Sequence, residues 1–79
     1  MTFTQDNLEE LNMLVRFKLT TTLEGLKVHT TAAPETIAAT RRLYDKGLIT
    51  LKDGGYLTGM GHEAAELSHN LHGLLNPPA

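Results

Sequence analysis

Seventy-nine residues, 41% of them hydrophobic and 20% charged, with a formal charge of −2, suit one ordinary globular domain. A chain this short buries only roughly 60–65% of its unfolded surface, so its core is marginal and a partner subunit would help. The absence of cysteine excludes disulfides, thiolate zinc sites and a cysteine nucleophile. No apolar run reaches the ~18 residues of a membrane span, and the acidic start MTFTQDNLEE is unlike a signal peptide. A cytoplasmic location with no membrane contact is therefore expected.

The first helix is expected over Thr4–Phe17. Thr4 is a good N-cap, Phe3 and Leu8 have hydrophobic-staple spacing, and Asp6, Glu9 and Glu10 favour the positive end of the helix dipole. Leu8, Leu11 and Val15 form its apolar stripe, with Leu14 beside them. The Thr-rich run Leu19–Thr22 reads as a connection or a short extended piece that adds a strand. Thr21 and Glu24 have capping-box spacing, which predicts a short second helix to about His29 despite Gly25. His29 to Ala33 is then the turn of a helix-turn-helix.

The third helix opens on Pro34, whose missing N–H has no partner to lose at a first helical position, and closes before Gly47. At 100° per residue Thr36, Ile37, Thr40, Leu43 and Tyr44 face inward. Glu35, Ala38, Ala39, Arg42, Asp45 and Lys46 face outward, with Arg41 on the flank. Asp53-Gly54-Gly55 supplies a hairpin turn. A three-residue loop that pairs Leu51 with Leu57 makes one hairpin face wholly apolar, so burial favours that register over the pairing of Leu51 with Tyr56. Gly55 then takes a left-handed bulge position. A last helix runs from Gly59 to Leu75, capped by Thr58 and stopped by Asn76-Pro77-Pro78. Met60, Ala64, Leu67, Leu71 and Leu74 repeat at 4-3-4-3 along it, the spacing of a seam for a second subunit. One domain over 1–79 is expected, ordered over about 4–75, with 76–79 a loose tail.

Between residues 34 and 58 there are four bases and three acids, a charge of +1, whereas the rest of the chain sums to −3. This places a small electropositive ledge on an acidic body. Small residues let a helix settle into a major groove, and arginine donates two hydrogen bonds to guanine. Ala38, Ala39 and Arg42 would face base edges, and Arg41, Lys46 and Lys52 would hold phosphates. Glu35 could accept from cytosine N4 or serve only the helix dipole. Tyr56 could meet the DNA backbone.

His62, Glu66 and His69 share one helix face, but i and i+7 lie about 10 Å apart along the axis, too far for one ion. No metal or other cofactor is expected. Ser68, the single serine, sits mid-helix beside His69, where sequence neighbours do not face each other. The chain has neither a phosphate-binding loop with lysine nor an HExxH motif, so enzymatic activity is not expected. The alternative to DNA binding is a protein-interaction module on the same fold, favoured by the acidic total and the leucine seam.

The order TAAPETIAATRRLYDKGLITLKDGGYLTGMGHEAAE resembles a winged helix-turn-helix, and KGLIT, DGGYLT and the following glycine resemble the wing of many bacterial regulators, the MarR-like group among them. More closely, through GLKVH, TAAPE and GGYLT, residues 5–75 resemble a small family of uncharacterised bacterial proteins assigned as DNA-binding. The resemblance implies a mainly α fold with a β-hairpin: a three-helix core, a wing and a C-terminal fourth helix. It implies fold more firmly than function; the Pro34–Gly47 helix and its wing lead to the expectation of a transcriptional regulator that binds double-stranded DNA, and the Met60–Leu74 seam to that of a second copy as partner. The extra helices of MarR-like proteins, which build a dimer and a ligand pocket, are not among these residues, so no small-molecule ligand is indicated.

Overall fold

Local signals at the chain's turns and helix ends set the order of elements. In the computed structural model, which describes residues 1–21 and 23–79, α1 spans Gln5–Leu14, β1 Leu26–Lys27, α2 Pro34–Asp45, β2 Ile49–Leu51, β3 Gly54–Leu57 and α3 Gly59–Leu75. Among the described residues there are three helices and one small antiparallel sheet of order β1-β3-β2. This order is compatible with a winged-helix-like fold. Among the described residues, no helix is long and apolar enough to cross a membrane.

The caps act as their residues suggest. The Thr4 side chain accepts from the Asn7 amide, and the Asn7 side chain accepts from the Thr4 amide, closing a capping box. Beyond α2, Gly47 takes φ 76°; its amide donates to Tyr44, and the Leu48 amide donates to Leu43. This pair of bonds is the Schellman arrangement, which satisfies carbonyls that a helix end leaves open. The Thr58 hydroxyl accepts from the Gly61 amide at 3.0 Å and donates to the Gly47 carbonyl at 2.6 Å. One side chain thus caps α3 and ties it to the end of α2.

The second of the four expected helices does not form. Leu26 and Lys27 instead pair with Gly55 and Gly54 as the third strand, and the Val28 amide donates to the Asp53 carbonyl at 2.7 Å. Gly25 weakens a helix there by about 1 kcal/mol, whereas pairing with β3 gives the segment interstrand hydrogen bonds. The added strand thus lies at Leu26–Lys27, not at 19–21; Thr22 is outside the described residues. Before α2 only a single turn remains, closed by the Ala32 amide on the His29 carbonyl.

The hairpin register also differs from expectation. Ile49 pairs with Leu57 and Leu51 with Gly54, with an irregularity between them. Four residues of β3 thus oppose three of β2, and the extra one is absorbed near Gly55, left-handed at φ 75°, as the bulge reading expects. The Thr50 hydroxyl accepts from the Tyr56 amide at 2.9 Å. Leu51 reaches past the edge of the core and stays exposed.

Met13, Leu14, Phe17, Val28, Ala39, Leu43, Ile49 and Ala65 form the core. On α1 the buried face is therefore Glu10, Met13 and Leu14, not Leu8, Leu11 and Val15; Leu8 and Phe3 are exposed. On α3 the buried residues are Gly61, Ala65 and Ser68. A Cβ at Gly61 would collide with the Leu48 carbonyl, so the glycine that weakens the helix is what lets α3 lie against the chain leaving α2.

Candidate nucleic-acid interface

The side of α2 that packs inward decides which of its bases can meet a ligand. Ala39, Thr40 and Leu43 are the buried residues of α2, and the Thr40 hydroxyl donates to the Thr36 carbonyl at 2.8 Å. The helix is turned so that Ala39 heads the core, while Ile37 and Tyr44, expected inside, lie on the exposed flank. Ala39 is 0% exposed, which corrects its assignment to base edges. Alanine's small volume serves close packing here rather than approach to a groove.

Arg42 and Lys46 belong to the interface with α1. The Arg42 Nε donates to Glu10 Oε2 at 2.6 Å, and Lys46 Nζ donates to Glu10 Oε1 at 2.6 Å. Arg42 Nη2 also donates to the Asp6 carbonyl at 3.2 Å. Glu10 itself is 6% exposed. Burial pushes its carboxyl upward in pKa, but the hydrogen bonds from Lys46 and Arg42, with the two positive charges, outweigh it and hold the carboxyl below its ordinary value. The hydrogen bond to Glu10 in turn raises the Arg42 guanidinium. Two of the four expected DNA-facing bases are thus spent on a carboxylate, and neither Arg42 nor Lys46 forms an open cationic surface.

Glu35 and Ala38 are exposed but line a groove of about 390 Å³ with Gln5, Asp6, Glu9 and Arg42. The acids of α1 make that side of α2 negative. The remaining outward stripe holds Ile37, Arg41 and Tyr44, spaced by one turn. Arg41 is exposed. A second groove, of about 160 Å³, runs between α2 and the hairpin and is lined by Val28, His29, Thr30, Ile37, Thr40, Lys52 and Asp53. It brings Lys52 of the hairpin turn to the α2 flank that carries Arg41. Tyr56, also exposed, shares a shallow surface with Gly25, Lys27, Leu51 and Asp53 on the other side of the hairpin.

Lys27 was missed by sequence reasoning because it fell inside the expected second helix. As part of β1 it pairs opposite Gly54 beside the hairpin turn. The pattern Leu26-Lys27-Val28, apolar on both sides of a base, is the alternation of a half-buried strand and could have placed it. Among the described residues Lys27, Arg41 and Lys52 have no carboxylate within ion-pair distance, whereas Lys18 and Lys46 each have one and Arg42 has two. Arg16, just past the end of α1, also has no carboxylate in reach and donates to the Met13 sulfur. Arg41 thus lies on the outer stripe of α2, Lys52 at the hairpin turn beside it, and Lys27 on the neighbouring strand, on the hairpin surface that also holds Asp53 and Tyr56.

The histidines do not converge. His62 pairs with Glu66 at 2.8 Å, while His69 Nε2 lies 3.0 Å from the Phe17 carbonyl. Among the described residues no three His, Asp or Glu side chains are placed to hold a metal ion.

On α3 the expected seam is uneven. Met60, Leu67 and Leu74 are 59%, 63% and 79% exposed, whereas Ala64 and Leu71 are half-buried.

A family described as one of unknown function, DUF5669, matches residues 1–76 of the chain. No curated protein matches it, and no solved structure does.

Proposed function

We propose that this chain, which belongs to the DUF5669 family, is a DNA-binding protein of the transcription-regulator class, with the outer stripe of α2 in a major groove and the hairpin as a wing on the backbone. The single observation that carries this reading is that Lys52 of the hairpin turn lines a groove with Ile37, on the α2 stripe that also bears the exposed Arg41, and that neither base has an ion-pair partner among the described residues; Lys27 adds a third such base on the neighbouring strand. Arg41 is the residue for base edges, since arginine reads guanine O6 and N7 with two hydrogen bonds. Lys27 and Lys52 are phosphate contacts. Glu35 and Ala38 lie outside this reduced footprint, and Tyr56 borders it beside Lys27.

With three cations and a net charge of −2, affinity is expected to be weak and salt-sensitive. Fluorescence polarisation against random and genomic duplexes at low salt tests the proposal. Binding in the micromolar range that is lost on changing Arg41 and Lys52 together supports it; no binding at tens of micromolar overturns it.

A protein-interaction module is the second reading. The capture of Arg42 and Lys46 by Glu10 favours it, because it leaves α2 less basic than its sequence suggests. A stoichiometric protein partner that tolerates loss of both Arg41 and Lys52 would select it.

A further inference from the structure

We infer that α3 joins two copies of this chain in an antiparallel pair, related by a two-fold axis through Leu67. The helix buries Gly61, Ala65 and Ser68 in its own domain and leaves the adjacent face uncovered. Met60, Leu67 and Leu74, spaced by two turns, are each more than half exposed. With the half-buried Ala64 and Leu71 between them, they form an apolar strip on the order of 400–500 Å², as large as the largest patch on a typical monomer. Two such strips bury on the order of 1,000 Å² in all, the lower bound for a specific interface. The domain is small enough that this added burial is a substantial fraction of its hydrophobic stabilisation.

The spacing itself selects a second copy as the occupant. Leu67 lies at the centre, with Met60 seven residues before it and Leu74 seven after. An antiparallel pair about Leu67 sets Met60 of each copy against Leu74 of the other. Ala64, three before the centre, then meets Leu71, four after it in the other copy, so a large side chain lies over a small one. A parallel pair sets Ala64 against Ala64 and leaves a gap that close packing does not tolerate cheaply. The antiparallel arrangement also brings Glu63 beside Asn70, where a parallel pair would set Glu63 against Glu63. It opposes the two helix dipoles as well. A strip that fits its own reverse is what a two-fold interface requires. The inference does not rest on DNA binding.

Sedimentation equilibrium of the full chain from micromolar to hundreds of micromolar is the test. A mass of twice 8.7 kDa is expected. Leu67→Glu places two carboxylates on the axis and should weaken association at least tenfold with an unchanged circular dichroism spectrum, since this side chain is 63% exposed in the single chain. Met60→Glu and Leu74→Lys should each weaken association, and the double variant should recover it, because opposite charges meet only in the antiparallel pair. A wild-type protein that stays monomeric throughout overturns the inference and leaves the strip to solvent or to another protein. Unchanged association of Leu67→Glu, or a double variant no tighter than the singles, overturns it equally.

Discussion

Glu10 and Arg42, 32 positions apart in the chain, meet with 2.6 Å between Oε2 and Nε, and this contact aims the charged side of α2 at α1. The Lys46 ammonium, also at 2.6 Å, completes a clamp on one nearly buried carboxylate. Because α1 supplies the acid, the bases of α2 on that side hold the fold together instead of facing solvent.

Glu10→Gln should destabilise the domain by about 1–3 kcal/mol, less than the loss of a fully buried pair because both bases remain partly hydrated. The depressed carboxyl pKa adds a pH dependence. The clamp's contribution is complete above the ordinary carboxylate value of 4.5 and fades as pH falls through the lower value in the folded state. Chemical denaturation between pH 7 and pH 3 should show this loss in the wild type and a shallower fall in the variant.

Arg42→Ala and Arg41→Ala should separate structure from recognition. The first removes a clamp member and should lower the melting temperature without changing preference among duplexes. The second should leave the melting temperature within a degree or two and weaken or relax DNA binding. Thermal denaturation and competition polarisation on the same two proteins read both effects.

Lys27→Ala and Lys52→Ala should weaken binding to all duplexes alike. With Lys27 and Lys52 each meeting one phosphate, the slope of log affinity against log salt is about −1.8 per protomer, and each alanine makes it shallower by about 0.9. A slope unaltered by both lysine variants would remove the hairpin tip from the interface.

Gly61→Ala should destabilise the domain by about 1–3 kcal/mol, although alanine is the better helix former by about 0.5–1 kcal/mol. The added methyl runs into the Leu48 carbonyl, so α3 must shift from its seat. Gly59→Ala, where nothing lies within 4 Å of the added carbon, is the control and should be neutral or mildly stabilising. Urea denaturation of both distinguishes packing from helix propensity.

Thr58→Ala should cost about 1–2 kcal/mol. The hydroxyl both caps α3 and donates to the Gly47 carbonyl, so its loss removes a cap and a tie between two helices. Thr58→Ser, which keeps the oxygen, should restore most of the difference in the same urea titration.

The chain's own residues determined its breaks and its caps. Thr4, Pro34, Gly47, Thr58 and Asn76 bound the helices where expected, and Gly55 takes the left-handed bulge. Each of these signals acts on backbone groups within a few residues, so the local sequence is sufficient. Tertiary structure decided the rest: that 26–27 is a strand, that Ala39 is inside and Ile37 at the flank, and that Arg42 and Lys46 face Glu10 while Lys27 joins the hairpin tip. These depend on partners 27 to 36 positions away. A two-residue strand is stable only against an existing edge, and a helix with small and apolar residues on several sides turns toward whichever neighbour offers both a core and a counter-charge.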